Sequence, residues 1–192
     1  MDNGGRFYNL LTKANDGNIS SAELAKVAGV FSDVQQMLLY LEMATINLDD
    51  TSKKSIVKSL SPKLQKAYQK YFPQYLSPTE ANLKGDPGKN LITTGIPKFI
   101  DAKTEFQGFI FVPIVTGKTT TMMMIPIFDQ YDVYELHDQD TGDEFLLAHT
   151  RSSKKLPHQK IRCAGVLKTL NTKKDENGLS RKYLETLYYS VL

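Results

Sequence analysis

The chain has 192 residues, a formal net charge of +3, 41% hydrophobic and 23% charged residues, ordinary globular proportions that exclude collagen-like, low-complexity and fully disordered chains. Its longest apolar runs, such as Met122 to Ile127, fall far short of the roughly 20 residues a membrane-spanning helix needs. The polar start Met1-Asp2-Asn3-Gly4-Gly5-Arg6 lacks the plan of a signal peptide, and one cysteine, Cys163, excludes an internal disulfide, so an intracellular, reducing compartment such as the cytoplasm is expected.

From Phe7 to Tyr71 apolar residues recur at helical spacing, with Leu24, Val27, Ala28, Val34, Met37, Leu38, Leu41 and Met43 three and four apart. Ser20-Ser21-Ala22-Glu23 has the capping-box arrangement, and Ser32 or Asp33 caps a second helix after a stop at Gly29. A further helix starts near Thr51 or Ser52, breaks at Ser61-Pro62 and restarts with Pro62 at the first helical position. Residues 1–72 therefore read as a helical unit. Residues 73–105, where Pro73, Pro78, Pro87 and Pro97 alternate with Gly85, Gly88 and Gly95, hold no sustained period and read as a connector.

Residues 106–192 read as strands. Phe109 to Val115 and Thr119 to Phe128 form a hairpin around Gly117-Lys118, followed by strands at Tyr131–Leu136, Glu144–Thr150, Ile161–Leu170 and Tyr183–Leu192. Ile161, Cys163, Gly165 and Leu167 alternate with Arg162, Ala164, Val166 and Lys168 as a half-buried strand requires. Five or six antiparallel strands in this length are expected to close into a barrel, which removes open edges, and Phe109, Phe111 and Phe128 are expected to fill its core. The fold class is thus α+β, a helical N-terminal unit followed by an antiparallel β-barrel.

The stretch Leu156-Pro157-His158-Gln159-Lys160-Ile161-Arg162-Cys163-Ala164-Gly165-Val166-Leu167-Lys168-Thr169, a charged loop and then Lys182-Tyr183-Leu184-Glu185-Thr186 resembles the closing hairpin of the OB-fold in single-stranded-DNA-binding proteins. In that family a strand with a central Gly and a following Leu leads through a polar loop into a Tyr-containing final strand. The resemblance covers only this C-terminal stretch. It implies an OB-like barrel and a nucleic-acid ligand.

Charge is strongly segregated. Asp129, Asp132, Glu135, Asp138, Asp140, Asp143 and Glu144 occur with no Lys or Arg among them. Then Arg151, Lys154, Lys155, Lys160, Arg162, Lys168, Lys173, Lys174, Arg181 and Lys182 face only Asp175 and Glu176. One reading is a basic groove along a phosphate backbone, with Tyr183, Tyr188 or Tyr189 as stacking faces. The other is pairing of opposite strands into a neutral surface.

Other motifs carry less. Gly117-Lys118-Thr119 lacks the glycine a phosphate loop needs, since Val112 stands there. Glu23 to Val34 resembles the first helix and turn of a helix-turn-helix, yet Ser32 to Met43 contains no Lys or Arg, which favours a structural or protein-binding bundle. His137, His149 and His158 lack metal-pair spacing; Glu135, Asp138, Asp140 and Asp143 lack the EF-hand pattern; and Cys163 lies on an apolar face. No nucleophile–base pair stands out, so no catalytic residue, metal or cofactor is expected.

The sequence therefore points to a non-enzymatic binding protein. Its barrel would hold single-stranded nucleic acid or an acidic partner through Arg151, Lys154, Lys155, Arg162, Lys168, Lys182, Tyr183 and Tyr188. The alternative is a protein–protein adaptor or scaffold that grips its partner through residues 20–72, and an enzyme with a carboxylate or metal site at Asp129 to Glu144 is a third possibility.

Overall fold

A computed structural model of the chain describes residues 17–28, 33–101, 108–117, 119–138, 140–172 and 181–192. Helix α1 (Ser21–Ala28) begins at the expected capping box: Glu23 N–H donates to Ser20 Oγ, and Ser20 N–H donates to the Glu23 carboxylate at 2.8 Å. In α2 (Val34–Thr45) the Asp33 carboxylate accepts from Gln36 N–H, while Ser32 and Gly29 lie outside the described residues. Helix α3 (Asp50–Ser59) starts slightly earlier than expected because Asp49 takes the cap, accepting from both the N–H and the hydroxyl of Ser52. Pro62 opens α4 (Pro62–Tyr71) at its first turn, where a missing N–H costs nothing.

The expected connector is largely regular structure. It supplies β1 (Gln74–Tyr75), α5 (Pro78–Lys84) and β2 (Asn90–Phe99). Strand β2 hides from a pattern search because Asn90 to Thr93 are all buried, so inside and outside residues do not alternate in polarity, and Gly95 and Pro97 mimic a loop.

The remaining elements are β3 (Gly108–Thr116), β4 (Thr119–Pro126), α6 (Ile127–Gln130), β5 (Tyr131–His137), β6 (Glu144–Thr150), β7 (Ile161–Thr169), β8 (Asn171–Thr172) and β9 (Lys182–Val191). Strands β2, β5, β6, β9 and β7 pair in that order, and β7 returns to β2, closing a five-stranded barrel compatible with an OB-like fold. The expectation of a wholly antiparallel barrel needs correction. Strands β6 and β9 run parallel, with Leu146 opposite Tyr183 and His149 opposite Thr186, because the long β6-to-β7 excursion and the return hairpin bring β9 alongside β6 in the same direction.

The barrel interior holds Leu91, Tyr134, Leu136, Phe145, Leu147, Ile161, Cys163, Leu167, Leu184 and Tyr189. A second core joins the helices to the outer face of β2, β7 and β9 through Ile92, Ala164 and Tyr188. The β3–β4 hairpin is not a barrel wall. It forms a separate sheet with β8, and only its base packs on the barrel, where Ile110 and Ile127 cover Val133, Ala148 and Tyr183. Consequently Phe109, Phe111 and Phe128 do not fill the barrel: Phe111 is 51% exposed and the other two are half-buried on its outside. No helix among the described residues is long and apolar enough to cross a membrane.

Candidate functional site

The basic residues expected to make one nucleic-acid face are dispersed. Arg162 and Lys168 stand at opposite ends of β7, roughly 20 Å apart at the rise of a strand. Lys168 pairs with Glu185 across the β7–β9 ladder, and Arg151 Nε lies 3.3 Å from Asp132 Oδ1. Lys182 Nζ donates to the Gly85 carbonyl at 2.8 Å. On the β6–β7 loop Lys154 is exposed, and Lys155 Nζ sits 5.2 Å above the Phe99 ring. Much of the basic block is thereby occupied by acids, carbonyls and a ring.

The expected stacking tyrosines are corrected outright. Tyr183 is 3% exposed and Tyr188 fully buried, with Tyr188 in an edge contact 5.5 Å from Tyr40. Both sit on a strand packed on its two faces, so neither ring offers a surface to a base. Burial pushes the Tyr183 hydroxyl up to about 12. Tyr189 is 3% exposed and points into the barrel.

The acidic block divides. Asp138 is buried and closes its own turn, with Oδ1 accepting from Asp140 N–H and Oδ2 from the Thr79 hydroxyl, each at 3.0 Å; these donors hold its carboxyl below the usual range. On the barrel's outer face, Glu135, His137 and Glu144 bring their ligand atoms within 4.8 Å of one another, an arrangement hidden in sequence because β6 must pair with β5 to form it. Arg181 and Lys182 line the same cleft of about 360 Å³ and balance the two carboxylates. Cys163 is fully buried in the barrel, and burial pushes its thiol up to about 12, so it has no thiolate character at neutral pH.

Exposed rings stand at the end of the helical unit. Phe72 and Tyr75 are 48% and 45% exposed, with ring centroids 6.1 Å apart, and Tyr68 meets Phe72 edge-on at 5.5 Å. The rings are held from beneath. Glu42, buried on α2, accepts from Tyr68 OH on one oxygen and Tyr75 OH on the other. Phe72 follows the last residue of α4 and Tyr75 ends β1, which pairs with Leu91 and Ile92, so barrel and bundle together fix the platform. Arg162 reaches the same region, donating to Asn47 Oδ1 at 3.3 Å and acting electrostatically on Tyr75.

In the chain before these rings, α3 and α4 carry Lys53, Lys54, Lys58, Lys63, Lys66 and Lys70, with no acid between Asp50 and Glu80. None of them makes an ion pair among the described residues, and Lys70 Nζ lies 4.8 Å from the Tyr71 ring centre. The sequence did contain a signal for this surface: a run of lysines without compensating acids, ending in Tyr68-Gln69-Lys70-Tyr71-Phe72-Pro73-Gln74-Tyr75. Exposure of the rings was the missing half. Comparison with known protein families and with curated proteins finds no match for this chain.

Proposed function

We propose that the chain is a non-enzymatic binding protein that holds single-stranded nucleic acid on the platform formed by Phe72 and Tyr75. Lysines of α4 and Arg162 would supply the phosphate contacts. The supporting observation is two half-exposed rings, Tyr75 anchored by Glu42 and Phe72 set against the Glu42-bound Tyr68, on a unit whose α4 lysines have no acidic partner among the described residues. Capture is electrostatic and stacking follows, so affinity falls steeply with salt and depends little on sequence.

In OB-like barrels the second and third strands commonly form the ligand face. Here those strands are β5 and β6. The hairpin base covers one half of their outer face, and Glu135 and Glu144 make the other half acidic. A polyanion is better served by the helical side. An acidic protein segment is the alternative ligand for the same lysines, and it would not need the ring faces.

The test is fluorescence anisotropy of labelled single-stranded and duplex oligonucleotides at low and physiological salt. Single strands are expected to bind more tightly, and Phe72→Ala or Tyr75→Ala each to weaken binding about 5- to 150-fold, the roughly 1–3 kcal/mol of a stacked base. Tyr75→Phe retains binding if the ring face is what matters. Absence of binding at low salt would refute the proposal; binding indifferent to both ring deletions would favour the acidic-segment alternative.

A further inference from the structure

We propose that the β3–β4 hairpin is a dimerisation arm, with two copies of this chain pairing their β4 strands antiparallel about a twofold axis at Met122. In the small sheet, strand β4 has β3 on one side and no partner on the other among the described residues. Phe111, Val115, Met122, Met123 and Met124 are 48–69% exposed, and residues 108–126 contain a single charged residue, Lys118. A long, uncharged, apolar edge is what monomeric proteins avoid.

The hydrogen-bonding phase of the edge follows from the register. The register pairs Thr116 with Thr119 across Gly117 (φ +63°), which makes them the closing bonded pair of the hairpin. Alternation from there leaves Val115/Thr120, Pro113/Met122, Phe111/Met124 and Phe109/Pro126 as non-bonded pairs. Both prolines fall on positions that need no N–H toward the partner strand, which fixes the phase independently. The N–H and C=O groups of Thr120, Met122 and Met124 therefore point to the open edge, and Pro126 ends it at the base of the arm.

This pattern is self-complementary. With Met122 opposite its own copy, Thr120 faces Met124 of the other chain, and all three edge residues exchange hydrogen bonds in phase. Charge selects the occupant. Across a twofold axis a charged residue near the centre meets its own kind, and β4 carries no charge over its length. The five exposed side chains leave on the order of 500 Å² of apolar surface per copy, so a symmetric pair reaches at most about 1,000 Å², the lower limit for a specific contact. An interface of that size belongs with weak, reversible contacts.

Sedimentation of the full chain from about 1 to 200 µM tests this. A reversible dimer is expected. Met122→Glu, which sets two carboxylates against each other, should weaken it at least 50-fold, and so should Met122→Lys. An equimolar mixture of the two variants should dimerise again, because the central pair is then of opposite sign. Met122 is 66% exposed, so both variants are expected to keep the native fold, which circular dichroism checks. A monomer at 200 µM, a Met122→Glu chain that dimerises like the parent, or a mixture that stays monomeric would each overturn the proposal.

Discussion

Replacing Gly165 by alanine tests the barrel where it is tightest. A Cβ at this position would lie 2.0 Å from the Glu185 carbonyl oxygen, 2.8 Å from its carbon and 3.1 Å from Leu184 Cδ1. Ordinary contact would require β9 to retreat by about 1 Å. It has nowhere to go, because β9 is held between β6 and β7 and its register with β7 already shifts between Ala164 and Gly165. Overpacking against backbone rather than a mobile side chain is expected to cost about 3 kcal/mol or more. For a chain of this size that lowers the melting temperature by about 6–12 °C. Gly117→Ala is the control: a Cβ there touches nothing within 4 Å, and the cost is only about 1 kcal/mol for holding a side chain at φ +63°. Thermal unfolding followed by far-UV circular dichroism reads both. If Gly165→Ala melts within 2 °C of the parent, the close approach of β7 and β9 is wrong.

Three other outcomes follow from buried groups. The Tyr188 hydroxyl is buried without a hydrogen-bond partner among the described residues, so Tyr188→Phe should be neutral or stabilise by up to about 1 kcal/mol in urea unfolding; a loss above 1 kcal/mol would show that the hydroxyl is satisfied. The Asp138 carboxyl is held below its ordinary 3.8, chiefly by Asp140 N–H and then by the Thr79 hydroxyl; its contribution is complete above that value and is lost as acid protonates it in the fold. Asp138→Asn should therefore be less stable than the parent at pH 7 and show a shallower loss between about pH 5 and 3, and an unchanged acid slope would refute this. Cys163 should resist thiol reagents in the native protein and react at the rate of a free thiol in 6 M guanidinium; rapid labelling of the folded chain would mean that the barrel opens readily.

Local signals carried much of the helical half. Ser20 and Glu23, Asp33 and Pro62 each act within a few residues of themselves, and the structure uses each as its chemistry requires. The strands from Tyr131 onward were legible for the same reason, with one face of each set against the barrel interior. Strand β2 was not, since burial on both faces erases the alternation by which a strand is recognised. The site was half legible. The lysines of α3 and α4 stand plainly in the chain, whereas the choice of ring depended on packing: Tyr183 and Tyr188 look as available in sequence as Phe72 and Tyr75, and only the former are covered.

By itself, then, the sequence determined the starts of α1, α2 and α4, most barrel strands and the uneven distribution of charge, because caps, prolines and alternating polarity act over short distances. Tertiary structure decided which strands are neighbours, that β6 and β9 run parallel, that the Phe109–Pro126 hairpin stands outside the barrel, and which aromatic rings face water. Those outcomes depend on contacts between residues tens of positions apart, whose energy comes from shared burial, and no local pattern records it.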